Sequence, residues 1–349
     1  MMKIGTARRI AAEWVRKFAA NKSSFRGAYF AGSTIELPED AELPAASDVD
    51  VMIVLDEDAA PLKLGKFFYQ DVLIEASYLS WKELVPVEQV MTSYHLANSF
   101  RRNTIIEDPT GHLHRLQKET ASRFAEREWV LKRCGDAKQR IVSGLNSIDE
   151  AAPWHDQVTS WLFPTGVTTH VLLVAALKNP TIRLRYLAVR NVLNSYGQDA
   201  IYTDLLTLLG CEQLSSERVE MHLDELAFTY DKAASLAKTP FFFSSEITQE
   251  TRQIAIDGSR ELIRSGFHRE AVFWIAAVYA RCHKILAADA SPEVQEALAP
   301  AFEALLEDLG IASSSDLLRR REKVFRFLPK LMDTAEAIMN ENPFIQKGG

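Results

Sequence analysis

Hydrophobic and polar residues follow two different patterns along this chain, and the change comes near residue 116. The chain begins with an amphipathic segment, Thr6 to Ala20, whose apolar residues recur at helical spacing. Short apolar runs follow that predict strands, and the run 49–55, which is too short for a helix and rich in β-branched residues, predicts a buried strand. These predicted strands are residues 28–31, 49–55, 71–79 and 104–107.

From about Leu116 the pattern is helical almost to the end. Residues 117–145 predict one long charged helix, and the nearly all-apolar segment 169–179 predicts a buried helix. Ser215-Ser216-Glu217 opens a later helical segment and is expected to be its N-cap region. The run from Thr239 to Glu246, with a proline and three phenylalanines, breaks the helical pattern and predicts a domain or subdomain boundary. The fold class is therefore α+β: an N-terminal domain with a sheet, then a larger all-helical part.

Composition narrows the class of protein. The 349 residues suffice for two or three domains, and 40 Lys+Arg against 47 Asp+Glu give a formal charge of −7. The first 115 residues are no more basic, with 13 basic and 16 acidic side chains, so a nucleic-acid partner is disfavoured. Three scattered cysteines without a CxxC pair argue against a disulfide scaffold or a structural zinc site. With no signal-peptide pattern and no run of 18 apolar residues, we expect a cytoplasmic protein without a membrane partner.

One constellation in the first part carries candidate chemistry. Gly32-Ser33 ends the first predicted strand, Asp48-Val49-Asp50 leads into the second, and Glu75 lies inside the third. Because side chains alternate along a strand, Asp48 and Asp50 point to the same face, away from the apolar residues between and after them. Glu75 likewise lies on the face opposite its apolar neighbours. If these two strands are neighbours, three carboxylates converge on one patch.

Three carboxylates so close together repel one another unless a cation lies between them. Hard oxygen ligands suit Mg²⁺, which takes one or two carboxylates together with substrate phosphates. Gly32-Ser33 offers a close backbone approach, backbone N–H groups and a hydroxyl for phosphates. This set of groups indicates phosphoryl or nucleotidyl transfer.

At these residues the sequence resembles the nucleotidyltransferase superfamily that includes DNA polymerase β. Its motif is an apolar residue, Gly-Ser or Gly-Gly, a spacer, Asp-x-Asp/Glu within an apolar strand, and a third carboxylate on a later strand. The matching segments are FAGS (30–33), SDVDVMIVL (47–55) and IEASYL (74–79). The spacer, which carries ELPEDAELPAA, is longer by a residue or more than the spacer expected in this superfamily. The added length is either a specificity element or a longer hairpin. The likeness is greatest to kanamycin nucleotidyltransferase and related aminoglycoside-modifying enzymes, with motif-level coverage of about residues 28–80.

The resemblance implies a role for each residue of the constellation. Gly32 and Ser33 would hold the nucleoside triphosphate, and Asp48 and Asp50 would ligate Mg²⁺. Glu75 would be the third carboxylate, as a metal ligand or as a base. In the aminoglycoside enzymes a glutamate of the helical domain is the general base. The candidates in the corresponding stretch here, among which the sequence does not choose, are Asp149, Glu150 and Asp156.

Two further pairs of cations could contact phosphates. Arg101 and Arg102 could each form a bidentate contact with a phosphate group. The alternative, at least equally compatible with the sequence, is that the two arginines lie at the solvated end of a helix. Lys63 and Lys66 are expected in the loop between the two acidic strands. They too could contact phosphates or be solvated.

The resemblance implies an N-terminal nucleotidyltransferase-fold mixed sheet with helices, followed by all-helical bundles. We expect a catalytic domain over 1–116, a helical substrate-binding domain over 117–238 and an additional helical domain over 239–349. The expected activity is transfer of a nucleoside monophosphate, AMP from Mg-ATP, to a hydroxyl of a small, aminoglycoside-like acceptor, within a homodimer. The alternatives are a non-catalytic or regulatory nucleotide-binding module, which the intact carboxylate triad disfavours, and adenylylation of a protein.

Overall fold

The computed structural model describes residues 2–58 and 60–346, which pack into two compact units. Of the described residues, the first unit comprises 2–58, 60–133, 241–246 and 344–346, and the second comprises 134–240 and 247–343. The α+β class is confirmed: the first unit contains a five-stranded sheet and the second is helical. The division into three domains stays a prediction, since compactness alone does not show which parts fold independently.

The sheet of the first unit is mixed. Its strands are β1 (Phe25–Phe30), β2 (Val49–Leu55), β3 (Gly65–Tyr69), β4 (Val72–Ser80) and β5 (Ile105–Glu107). They lie in the order β3-β4-β2-β1-β5, and β2 and β4 are parallel while the other neighbouring pairs are antiparallel. Four of these strands overlap the predicted ones, whereas β3 was expected to be a loop. That prediction was wrong because β3 and β4 form a hairpin through a two-residue turn without glycine.

Helices cover both faces of this sheet. The helices of the first unit are α1 (Ile4–Trp14), α2 (Val87–Thr92), α3 (Ala97–Phe100), α4 (His112–Arg123) and the beginning of α5 (Arg127–Asn146). Helix α1 packs on one face over the inward residues of β2 and β4, such as Val51 and Ile74. Residues of α2–α4 cover the other face around Tyr29 and Val54. Because both faces of the central strands are covered there, these strands are apolar over most of their length.

Two predicted helices differ in detail from the structure. The amphipathic segment near the N-terminus is helical as expected, with α1 continuing into a wider π-helical turn over Val15–Ala19. The long charged helix predicted over 117–145 is instead two helices, α4 and α5, interrupted at residues 124–126. The buried guanidinium of Arg133 accounts for the break locally, because it donates hydrogen bonds to the backbone carbonyls of Phe124 and, at 3.2 Å, of Met91. The carbonyl of Phe124 is thus satisfied outside a continuous helix.

The second unit is built from helices that pack on two central, apolar ones. Beyond the remainder of α5, its helices are α6 (Trp154–Ala175), α7 (Arg185–Ser195), α8 (Asp199–Leu209), α9 (Ser216–Leu236), α10 (Gly258–Arg264), α11 (His268–Asp289), α12 (Pro292–Asp308) and α13 (Ser314–Glu341). The predicted buried segment 169–179 forms the end of α6 up to Ala175, with residues 176–179 beyond the helix, and the hydroxyl of Ser215 caps α9 by accepting from the N–H of Arg218 at 3.2 Å. Both of these predictions are confirmed.

Helices α6 and α11 are also long and apolar enough to cross a membrane, with 18-residue windows of mean hydropathy 1.3. In the structure, 78% of the window of α6 and 72% of that of α11 is buried. Core helices of a globular unit meet the same criterion of length and composition, so the two helices are weak support for a membrane span.

A buried histidine makes the stability of the second unit depend on pH. His283 of α11 stacks on Phe302 of α12 with ring centroids 4.7 Å apart, and its Nε2 has no hydrogen-bond partner among the described residues. Burial, and then the nearby charge of His155, lowers the pKa of His283 to about 4. In the unfolded chain the pKa of this histidine is about 6.5. Between pH 6.5 and pH 4, His283 is therefore protonated in the unfolded chain and neutral in the folded chain. Stability contributed by neutral His283 above pH 6.5 is lost as the pH falls to 4.

Replacing His283 by Phe is expected to flatten this dependence. Phenylalanine keeps the ring stack and removes the titrating group, so the loss of unfolding free energy between pH 7 and pH 4.5 should shrink by about 2 kcal/mol. Guanidinium unfolding of both proteins at the two pH values measures the difference. An equal loss in the wild type and in His283→Phe would show that another group controls the acid sensitivity.

Candidate metal centre

The three acidic residues of the predicted triad meet on one face of the sheet, at its interior strands β2 and β4. Strands β2 and β4 are neighbours in parallel register, and Asp50 pairs directly with Glu75 across them. Asp48 precedes β2 and lies on the same side as Asp50. One carboxylate oxygen from each of the three residues lies within 4.8 Å of the others. The predicted convergence of Asp48, Asp50 and Glu75 is therefore confirmed as geometry.

The Gly32-Ser33 turn approaches the triad closely. The N–H of Ala31 donates to the carbonyl of Asp50 at 3.0 Å, which joins the end of β1 to the start of β2. Gly32 has a φ of +69°, and a Cβ atom at this position would lie 1.6 Å from Oδ2 of Asp50. The conformation and the contact both require glycine. The side chain of Ser33, next in the chain, is exposed and makes no capping hydrogen bond to the short helical turn that follows.

The long spacer between Gly32-Ser33 and Asp48 is fastened to the N-terminus of α1. The backbone N–H groups of Ile4 and Gly5 donate to the carbonyls of Ala41 and Glu39, both at 2.9 Å. The N–H of Leu43 donates to the carbonyl of Met2 at the same distance. The spacer is thus an irregular segment held by backbone hydrogen bonds rather than a hairpin.

Two lysines enter the acidic cluster, and one of them, Lys66, lies in a strand rather than in the predicted loop. Lys66 lies within β3, opposite Glu75 in the register, and its ammonium contacts Asp48 and Glu75. Lys63, just before β3, donates to Oε1 of Glu75 at 2.5 Å and to Oε1 of Glu246 at 2.7 Å. The lysine side chains are only 9% and 6% exposed, respectively. The predicted loop position is therefore correct for Lys63 and wrong for Lys66, and the alternative in which the two side chains are solvated is wrong for both.

Burial and charge act unequally on the three carboxylates. Burial raises the pKa of Asp50 well above its ordinary value, and the charges of Asp48 and Glu75 raise it further. Burial also raises the pKa of Asp48, although Lys66 opposes the shift. At Glu75 burial is outweighed by the ammonium groups of Lys66 and Lys63, which lower the pKa of the carboxyl to about 2. The carboxylate nearest the Gly32 turn is thus the one that gains most from an added cation.

Three arginines lie beside the turn that follows Ser33. Arg101 is 3.7 Å from Oε1 of Glu36, the last residue of that turn, and Arg8 of α1 donates to the carbonyl of Thr34 within it. Burial lowers the pKa of both Arg8 and Arg101, and the charge of Arg102 lowers it further against the opposing charges of Glu39 and Glu36, respectively. Arg102 is therefore close enough to repel each of the other two guanidinium groups. Arg102 itself is exposed. Repelling cations next to a Gly-Ser turn favour an anionic ligand there.

The structure places the predicted general-base candidates in the second unit. Asp149 accepts from the N–H of Ala151 at 2.9 Å, Glu150 is exposed, and Asp156 pairs with Lys284 at 2.6 Å. A carboxylate that sequence reasoning missed, Glu246, instead lies in the first unit on a short helical turn, Ser244–Glu246, and is 11% exposed. The TPFFFSSE break in the helical pattern was the available signal, since it marked the segment as distinct from the helices around it.

The donor set of the triad fits a hard divalent cation. Oxygen atoms on opposite sides of an octahedral Mg²⁺ are about 4.2 Å apart, since each bond is about 2.1 Å. The separations within the triad, at or below 4.8 Å, are close to that span. The three side chains are partly buried and all supply carboxylate oxygen, the ligand type that Mg²⁺ prefers. The triad can therefore hold a divalent metal ion.

Comparisons with known proteins add little to this picture. No family model matches the sequence, and no curated protein matches it either. Among solved structures, the chain is similar to a nucleotidyltransferase-like protein from Exiguobacterium sibiricum 255-15, with 12% sequence identity and a TM-score of 0.28. The similarity covers 74% of this chain and 91% of that one. At so low a TM-score the likeness does not extend to individual residues.

Proposed function

We propose that this protein is a metal-dependent nucleotidyltransferase of the DNA polymerase β superfamily. It would transfer AMP from ATP to a hydroxyl of a small polar acceptor. The observation that carries the proposal is the meeting of Asp48, Asp50 and Glu75 beside the Gly32-Ser33 turn. Carboxylates for a metal and a turn for phosphates are the two requirements of nucleotidyl transfer, and here they are in contact.

In the proposed reaction the acceptor hydroxyl oxygen bonds to the α-phosphorus of the nucleotide. The bond from that phosphorus to the oxygen bridging to the β-phosphate breaks, and pyrophosphate leaves. Asp48, Asp50 and Glu75 would hold Mg²⁺, which supplies neutralisation of the charge on the phosphate oxygens. The triphosphate would be bound by the Gly32-Ser33 turn and by the nearby Arg8, Arg101 and Arg102. The arginines would bind it through the bidentate contacts that guanidinium groups make with phosphate.

The proton of the acceptor hydroxyl needs a carboxylate within hydrogen-bond reach. Asp149, Glu150 and Asp156 remain candidates by resemblance to the aminoglycoside enzymes. Glu246 joins them because it reaches the triad through Lys63, which it contacts at 2.7 Å. An aminoglycoside-like acceptor fits the acidic character of the chain, whose formal charge is −7, because negative clefts attract cationic ligands.

Pyrophosphate release is the direct test of this function. We expect release that depends on both Mg²⁺ and acceptor when ATP, GTP, CTP and UTP are each screened against a panel of aminoglycosides and other hydroxyl compounds. Mass spectrometry should find the acceptor heavier by one nucleoside monophosphate, and EDTA should stop the reaction. Release without acceptor modification would indicate hydrolysis, and no release with any pair would contradict the proposal.

A further inference from the structure

The ammonium group of Lys66 contacts carboxylates that would ligate a metal ion bound by the triad. Lys66 is opposite Glu75 in the β3–β4 register, so its side chain starts on the acidic face of the sheet. Its Nζ contacts Oδ2 of Asp48 and Oε2 of Glu75, and the side chain is 9% exposed. Two of the three carboxylates of the candidate metal centre are therefore already engaged by a buried positive charge.

The neighbouring lysine is held differently. Lys63 contacts Glu75 at 2.5 Å, but it also contacts Glu246 at 2.7 Å, and its ammonium lies 4.7 Å from the ring centre of Phe242. Lys66, in contrast, forms ion pairs only with triad carboxylates among the residues that the structure describes. Lys63 thus has partners that would keep it in place if the triad bound another cation, whereas Lys66 would lose both of its partners.

We propose that Lys66 is a built-in counter-ion that a divalent metal ion must displace to enter the triad. In the absence of metal, its ammonium offsets the repulsion between Asp48 and Glu75 and keeps the carboxylates together. The same ammonium opposes binding of the metal to these carboxylates, because two cations held by the same carboxylates repel each other. Lys66 therefore lowers the metal affinity of the resting protein. The inference rests on the metal site of the proposed function but not on nucleotidyl transfer.

Mn²⁺ binding to the full chain, measured by electron paramagnetic resonance of the free ion without nucleotide, tests this inference. Lys66→Met removes the charge and keeps much of the length of the side chain. We expect it to bind Mn²⁺ at least tenfold more tightly than the wild type. Added Mn²⁺ should also raise the melting temperature of the variant more than that of the wild type, because the ion replaces the missing charge. Lys66→Gln, which keeps a hydrogen-bond donor, should give the same direction and serves where Lys66→Met does not fold.

Two lysine variants serve as matched controls. Lys82→Met makes the same change of net charge at an exposed lysine that pairs with Asp58, and it should leave Mn²⁺ affinity unchanged. Lys63→Met removes an ammonium that contacts one triad carboxylate instead of two, and it should raise the affinity less than Lys66→Met does.

The outcomes separate the two proposals. Equal or weaker Mn²⁺ binding by both Lys66 variants, with the wild type binding measurably, would overturn the role of Lys66 and leave the metal centre standing. No binding by any of the proteins would overturn the metal centre and the counter-ion together. Tighter binding that persists when Asp48 and Asp50 are also replaced by Asn would place the ion elsewhere and overturn the inference as well.

Discussion

Replacing Asp48 and Asp50 together by asparagine is expected to lower the rate of acceptor-dependent pyrophosphate release by at least about 100-fold. Both carboxylates offer oxygen atoms to the same cation, within 4.8 Å of each other and of Glu75. Asparagine has nearly the same shape but carries no charge, so the metal would lose two of its three anionic ligands. The initial rate with the best nucleotide–acceptor pair, at saturating Mg²⁺, measures the effect.

The double variant should fold, because it removes repulsion rather than packing. Burial and neighbouring carboxylates already raise the pKa of Asp50, which shows that its charge is unfavourable without a cation. A matched control replaces Asp56 and Asp58, which pair with Arg26 and Lys82 at the surface, by asparagine. This control changes the net charge equally and should keep the wild-type rate. A double Asp48/Asp50 variant as fast as the wild type would remove the triad from the chemistry.

The centre of the fold was predictable from sequence because local patterns determine it. The apolar run of β2 matches the predicted residues 49–55, and alternation within it correctly puts Asp50 on the face opposite Val51. The same alternation in β4 puts Glu75 opposite Ile74. Neighbouring parallel strands then leave little freedom, since a shift of one residue would move every side chain to the other face. Asp50 and Glu75 pair directly as a result.

Strand β3 was missed because its signals are weak ones. It has five residues, and it turns into β4 through Gln70 and Asp71, whose φ angles of +45° and +62° are those of a tight hairpin turn. Asn-Gly or Asp-Gly normally marks such a turn in a sequence, and Gln-Asp does not. Missing the strand also misplaced Lys66, which faces Glu75 only because the hairpin sets that register.

Contacts between residues distant in the chain were beyond the reach of sequence patterns. Glu246 meets Lys63 across 183 positions of the chain, and no spacing rule connects them. Arg8 of α1 reaches the carbonyl of Thr34 because the helix packs over the sheet, which is a consequence of tertiary structure. Such contacts depend on how whole elements pack, whereas the Asp-x-Asp spacing is fixed within a single strand.

Gly32→Ala is expected to disable the centre without altering any charged residue. The added methyl group would stand 1.6 Å from Oδ2 of Asp50 and 2.4 Å from its Cγ, so the carboxylate must move away from the triad. We expect the rate of pyrophosphate release to fall by at least about 100-fold, as when catalytic groups are displaced by an ångström or more. The affinity for Mn²⁺ should fall as well. Titration of the protein with Mn²⁺ measures this affinity independently of the rate of the reaction.

Gly111→Ala separates this collision from the cost of the backbone conformation. Gly111 has a φ of +70°, nearly the same as the +69° of Gly32, but a Cβ atom there would meet nothing within 4 Å. Gly111→Ala should lose about 1 kcal/mol of unfolding free energy, because it forces an L side chain into the left-handed region, and Gly32→Ala should lose more because the collision with Asp50 adds to the same cost. Only Gly32→Ala should lose metal and activity. Neither variant replaces a residue of the triad. Equal activity in the two variants would therefore show that the close approach of the Gly32 turn to Asp50 has no part in the function.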